Sequence, residues 1–86
     1  MAKIQTNLLT DIQIRKWIRT GDPLAKSDGG GLTFTLSTVG AAVWVLRFRH
    51  AGRRQEVTLG RYPDMSLAAA RLMAAKKRLA LVEGVN

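Results

Sequence analysis

Bulky apolar residues alternate with polar ones in three stretches of this chain, and a strand sends successive side chains to opposite faces. Leu32, Phe34 and Leu36 fall on one side of the first stretch, with Thr33, Thr35 and Ser37 on the other. In the second, Trp44, Leu46 and Phe48 oppose Val45, Arg47 and Arg49; in the third, Val57 and Leu59 oppose Arg54, Glu56 and Thr58. The connections are too short for parallel crossovers: Thr38, Val39 and Gly40 supply one turn, and Ala51 with Gly52 a tight hairpin. The pattern predicts a three-stranded antiparallel sheet with one apolar face and an opposite face offering Arg, Thr and Ser.

Helical spacing brackets these strands. Thr10 followed by Gln13 is a capping box, and Leu9 with Ile14 has the spacing of a hydrophobic staple. A short helix should begin there, with Ile14, Trp17 and Ile18 as its apolar stripe, and end at Gly21, Asp22 and Pro23. Asp28, Gly29, Gly30 and Gly31 read as a loose turn into the first strand. After a turn at Gly60–Asp64, Ser66 is a natural N-cap for a second helix running to about Val82, with Gly84 as its stop. Leu67, Ala70, Ala74 and Leu81 form its apolar stripe, and the alanines allow a close approach to the sheet. The expected fold is α+β: a three-stranded antiparallel sheet packed on a C-terminal helix, preceded by a short N-terminal helix, in one domain spanning residues 1–86.

Charge changes the picture from a scaffold to a surface. Fourteen basic against six acidic residues give the 86-residue chain a net charge of +8, a field that attracts polyanions before any specific contact forms. Nucleic acid leads the expected partners. A membrane surface is disfavoured, because the long helix is mostly alanine on its apolar side, and no segment approaches the roughly 20 apolar residues needed to span a bilayer. There is no cysteine for a disulfide or thiolate site, and Lys3, Gln5, Thr6 and Asn7 interrupt any secretory hydrophobic run, so a soluble cytoplasmic protein is expected.

The candidate contact residues are Arg47, Arg49, Arg53 and Arg54, with Arg61 close behind. An isolated charge run usually just solubilises, but two of these share a strand face and two more flank the adjacent hairpin. Arginine can clamp a phosphate or grip guanine through two parallel hydrogen bonds. Thr33, Thr35 and Thr58 could add contacts, and are equally explained as good strand formers. Trp44 and Phe48 read as core, and Lys76, Lys77 and Arg78 as solvated surface. His50 stands without ligand partners at metal-binding spacing, Tyr62 without activating groups, and the glycine run without the lysine of a phosphate loop. Neither catalysis, a metal nor a cofactor is expected.

Leu9, Thr10 and Asp11; Ser27 to Leu32; Trp44, Arg47, Phe48 and Arg49; Leu59 to Pro63; and Ser66, Leu67, Ala70, Arg71 and Ala74 occur in an order that resembles the N-terminal arm-type DNA-binding domain of phage and genomic-island integrases, which are tyrosine recombinases. The resemblance implies a sheet placed in the major groove at arm-type sites during site-specific integration. It implies as partners double-stranded DNA, the rest of the integrase, other recombinase subunits and DNA-bending accessory proteins. Ala41 and Ala42 depart from a pattern that often carries a basic residue in that turn. By the same resemblance the chain is a non-catalytic N-terminal portion of a longer recombinase. A protein-interaction module and an RNA-binding domain are the alternatives that the residues leave open.

Overall fold

The computed structural model describes residues 8–82. Helix α1 spans Asp11–Thr20, strands β1 to β4 span Leu24–Gly29, Leu32–Leu36, Ala42–His50 and Arg53–Arg61, and helix α2 spans Leu67–Val82. The strands form one antiparallel meander in the order β1-β2-β3-β4. The α+β class agrees with the pattern of the sequence, but the sheet has four strands where three were expected. The added strand, β1, includes Asp28 and Gly29 of the expected loose turn; only Gly30 and Gly31 remain to connect β1 with β2.

Helix α1 starts as its capping box dictates. The Gln13 backbone N–H donates to Thr10 Oγ1 at 3.2 Å, and the Thr10 N–H donates to Gln13 Oε1 at 3.0 Å. Leu9 and Ile14 both enter the core, whereas Ile18, expected in the apolar stripe, is exposed. The helix ends at Gly21, which caps it in the left-handed conformation. Helix α2 begins after Ser66, whose hydroxyl accepts from the Ala69 N–H at 3.1 Å. Its Leu67, Ala70 and Ala74 are buried against the sheet. The expected stop at Gly84 lies outside the described residues, as does the side chain of Leu81.

The core lies between the helices and one face of the sheet. Leu32, Phe34 and Leu36 of β2 stand across from Leu46, Trp44 and Ala42 of β3. Phe34 is the centre of an aromatic cluster, stacked on Trp17 at 6.1 Å and edge-on to Trp44 and Tyr62 at 5.2 and 6.2 Å. The indole N–H of Trp44 donates to the Met65 carbonyl at 2.8 Å, so this buried ring carries no unmet donor.

Two irregularities in the ladder set which side chains face out. Opposite Trp44 and Val45, strand β4 carries one extra residue, Leu59: Trp44 pairs with Gly60 and Val45 with Thr58. Strict alternation would send Arg61 to the same side as Val57; the extra residue returns it to the outer face, across from Val43. Gly60 then takes the core side under Met65, whose Cε would lie 3.0 Å from an added Cβ.

The second irregularity frees Asp28 from the β1–β2 ladder, between the pairs Ser27–Thr33 and Gly29–Leu32. The residue is 2% exposed. Its carboxylate accepts from the Leu9 N–H at 2.8 Å, from Arg71 Nε at 2.8 Å and from Arg71 Nη2 at 2.9 Å. Arg71 Nη2 also donates to the Leu9 carbonyl at 2.9 Å, and Arg78 Nη1 donates to the Gly30 carbonyl at 2.6 Å. One buried carboxylate thus ties the approach to α1, the edge strand and α2 together. The hydrogen bond to Asp28 raises the Arg71 pKa, outweighing the opposing effect of burial, so Arg71 stays charged at any ordinary pH.

Gly31 brings β2 against β3 at the point where their pairing ends. Its carbonyl accepts from the Arg47 N–H at 2.8 Å, its φ is +91°, and an added Cβ would overlap the Arg47 carbonyl oxygen. Gly31→Ala should therefore lower stability by about 1–3 kcal/mol in urea denaturation. Gly21→Ala is the control, since it has positive φ but nothing within 4 Å. Equal losses for the two variants would contradict the steric account.

Candidate nucleic-acid interface

Pairing between β2 and β3 stops at Leu32 and Leu46, whereas β3 and β4 continue together to the His50–Arg53 pair. Beyond Leu46 the sheet is therefore a two-stranded ribbon. Its turn, Ala51 and Gly52, has positive φ at both residues, which matches the right-handed twist of the flanking strands. Among the described residues no neighbouring strand continues alongside, and Arg47, Arg49, His50, Arg53, Arg54, Gln55 and Glu56 are all exposed.

The ribbon gathers most of the expected contact residues. On its outer face Arg47 stands across from Glu56, and Arg49 directly across from Arg54. Arg47 Nε donates to Glu56 Oε2 at 3.0 Å, with the two side chains 54% and 57% exposed. Among the described residues, Arg49 and Arg54 have no salt bridge or side-chain hydrogen bond. Directly opposed Cβ atoms lie about 4.5–5.5 Å apart, so two guanidinium groups here repel and destabilise the free ribbon. An open depression of about 600 Å³ is lined by Arg47, Phe48, Arg49, Arg54, Gln55 and Glu56.

The remaining expected residues are dispersed. Arg61 is exposed on the outer face at the opposite end of β4, beside a smaller hollow lined by Val39–Ala42 and Tyr62. Thr58 is exposed, across from Val45. Arg53 pairs with His50 and so alternates to the other side of the ribbon from Arg54. Thr35 is half-buried and donates to the Val43 carbonyl at 3.0 Å. Thr33 departs from the expected exposed plate: it is only 4% exposed, with its hydroxyl 3.4 Å from the Gly31 carbonyl, and its partner Val45 is 6% exposed. Of the expected contact residues, the exposed cations are therefore concentrated on the ribbon, with Arg61 as an outlier.

Gln55 joins the ribbon without having been singled out in the sequence. It stands across from Phe48 and is exposed where the core face runs past the helices. Its alternation with Arg54 and Glu56 was visible, but the end of the core was not. Among the described residues no group of three His, Asp or Glu side chains could hold a metal ion, and no helix is long and apolar enough to cross a membrane.

Residues 9–86 match the arm DNA-binding domain family. The chain belongs to that family. This arm DNA-binding domain is 33% identical over 79 residues to the integrase of Shigella phage Sf6, a match covering 92% of this chain and 20% of the relative. It is equally similar, over the same shares, to the prophage integrase IntS of Escherichia coli strain K12. The chain thus spans about one fifth of the length of these relatives. Several residues of the motifs that carried the resemblance have structural work within the arm DNA-binding domain: Arg71 pairs with the buried carboxylate of Asp28, Gly31 abuts β3, and Gly60 lies beneath Met65.

Proposed function

We propose that the β3–β4 ribbon enters the major groove of duplex DNA, and that the domain thereby directs an integrase to its arm-type sites in site-specific recombination. The observation that carries this reading is the pairing of Arg49 with Arg54 at the free end of the ribbon, with no acidic partner among the described residues. Natural sheets avoid like charges directly opposite one another unless something offsets the repulsion. A phosphate between or beside the two guanidinium groups would do so, and the major groove admits a two-stranded ribbon. Membership of the arm DNA-binding domain family and the likeness to two integrases support the same reading.

In this arrangement Arg49 and Arg54 contact phosphates at the groove edge, Arg53 reaches out from the ribbon's other side, and Arg61 meets a flanking phosphate. Thr58 and Thr35 border the contact surface; Thr33, turned onto backbone, supports the strand. The catalytic step belongs to other parts of the integrase. The rest of that protein, further recombinase subunits and DNA-bending accessory proteins are the partners that would act beside the domain on cytoplasmic DNA.

With three to four phosphates neutralised, the log–log slope of affinity against salt should be roughly −2.7 to −3.6. Mobility shifts across a salt series measure it, with structured RNA as competitor. A flat response would remove the electrostatic contact, and preference for the RNA would favour an RNA-binding domain, because A-form helices close their major groove to side chains.

A further inference from the structure

Glu56 is the one acidic side chain on the exposed ribbon, and phosphates would repel it. Electrostatic attraction alone gives no reason for it to be there. Its carboxylate holds Arg47 by the Nε edge, at 3.0 Å, which leaves both terminal nitrogens of the guanidinium without a partner among the described residues. Those two nitrogens form an end-on fork with the spacing of the O6 and N7 acceptors that guanine alone presents in the major groove.

We infer that Glu56 is a positioning residue that aims Arg47 at a single guanine, so that the ribbon divides its labour: Arg47 reads a base while Arg49 and Arg54 clamp phosphates. This inference rests on the proposed entry of the ribbon into the groove and adds a source of sequence preference to it. Arg47 and Glu56 lie one alternation inward from the Arg49–Arg54 pair, and two residues along a strand span about 6.7 Å, close to two base-pair rises. A tethered arginine also loses less conformational freedom on contact than one that must be ordered by the base itself.

The test is a selection from a randomised duplex pool with the native chain, Arg47→Ala and Glu56→Gln, followed by competition between the best duplex and versions altered at each guanine. The native chain should prefer guanine at one position by about ten- to a hundredfold, and Arg47→Ala should remove that preference while leaving the others. Glu56→Gln should reduce discrimination at the same position by about three- to tenfold while strengthening binding to unrelated duplexes, since it removes a negative charge. An exposed ion pair adds little to stability, so both variants should fold, which thermal melting checks. Unchanged guanine preference in either variant overturns the inference but leaves duplex binding intact. A Glu56→Gln effect confined to a cytosine that Arg47→Ala leaves untouched also overturns it, because Glu56 would then read a base directly. Failure of the native chain to bind any duplex overturns the proposed function and this inference with it.

Discussion

Replacing Arg49 and Arg54 together by alanine should weaken duplex binding by about a hundredfold and leave the fold no less stable. Each lost charge-assisted hydrogen bond is worth about 1.5–3 kcal/mol, and two at the low end make about 3 kcal/mol, or two factors of ten. The salt slope should flatten by about 1.8, the share of two phosphates. In the free domain the same change relieves a directly opposed like-charge pair, so the melting temperature should hold or rise slightly. The control is Lys76→Ala with Lys77→Ala, which removes the same charge from exposed positions on α2. Equal weakening by both double variants would mean that the overall field of a +8 chain, and not the ribbon, holds the DNA.

Asp28→Asn should have the opposite profile, a clear loss of stability with no direct effect on the contact surface. The substitution leaves the Arg71 guanidinium, 31% exposed, beside a neutral amide at a position only 3% exposed, and losing the charge-assisted contact there costs about 1.5–3 kcal/mol. A domain of this size has roughly 4–13 kcal/mol in all, so a substantial part of its stability would go. Arg71→Met should destabilise to a similar extent, and combining the two should cost clearly less than the sum, because the orphaned charge is then gone. Urea denaturation of the two single variants and the double completes the cycle. Losses below about 1 kcal/mol for each single variant, or strict additivity, would show that the pair is not a unit. Because the Arg71 pKa is raised, its side of the pair persists below arginine's ordinary range and is lost only as pH rises into strong alkali.

The faces of β2 to β4 follow from period-two alternation, and α1 from its capping box, because each is a short-range rule. Strand β1 escapes that rule: Lys26, Ser27, Asp28 and Gly29 have neither an apolar repeat nor β-branched residues, and β1 is held in the sheet by backbone pairing with β2. The Arg71–Asp28 contact joins residues 43 apart in the chain, so no local pattern announces it. Arg47, Arg49 and Arg54 were legible as one surface. Arg53 was grouped with them by proximity although alternation places it opposite Arg54, and the return of Arg61 to the outer face depends on the extra residue at Leu59. Thr33 has the outward parity expected of it but lies buried, which alternation cannot distinguish.

The early end of β2 separates two kinds of selective constraint. Substitutions in the platform, from Leu32 to Leu46, disturb packed aromatic rings, whereas exposed positions in the last turns of the hairpin touch little of the interior. On the proposed reading, new target preferences would arise at the fingertip by drift in a few codons, with the supporting architecture inherited unchanged.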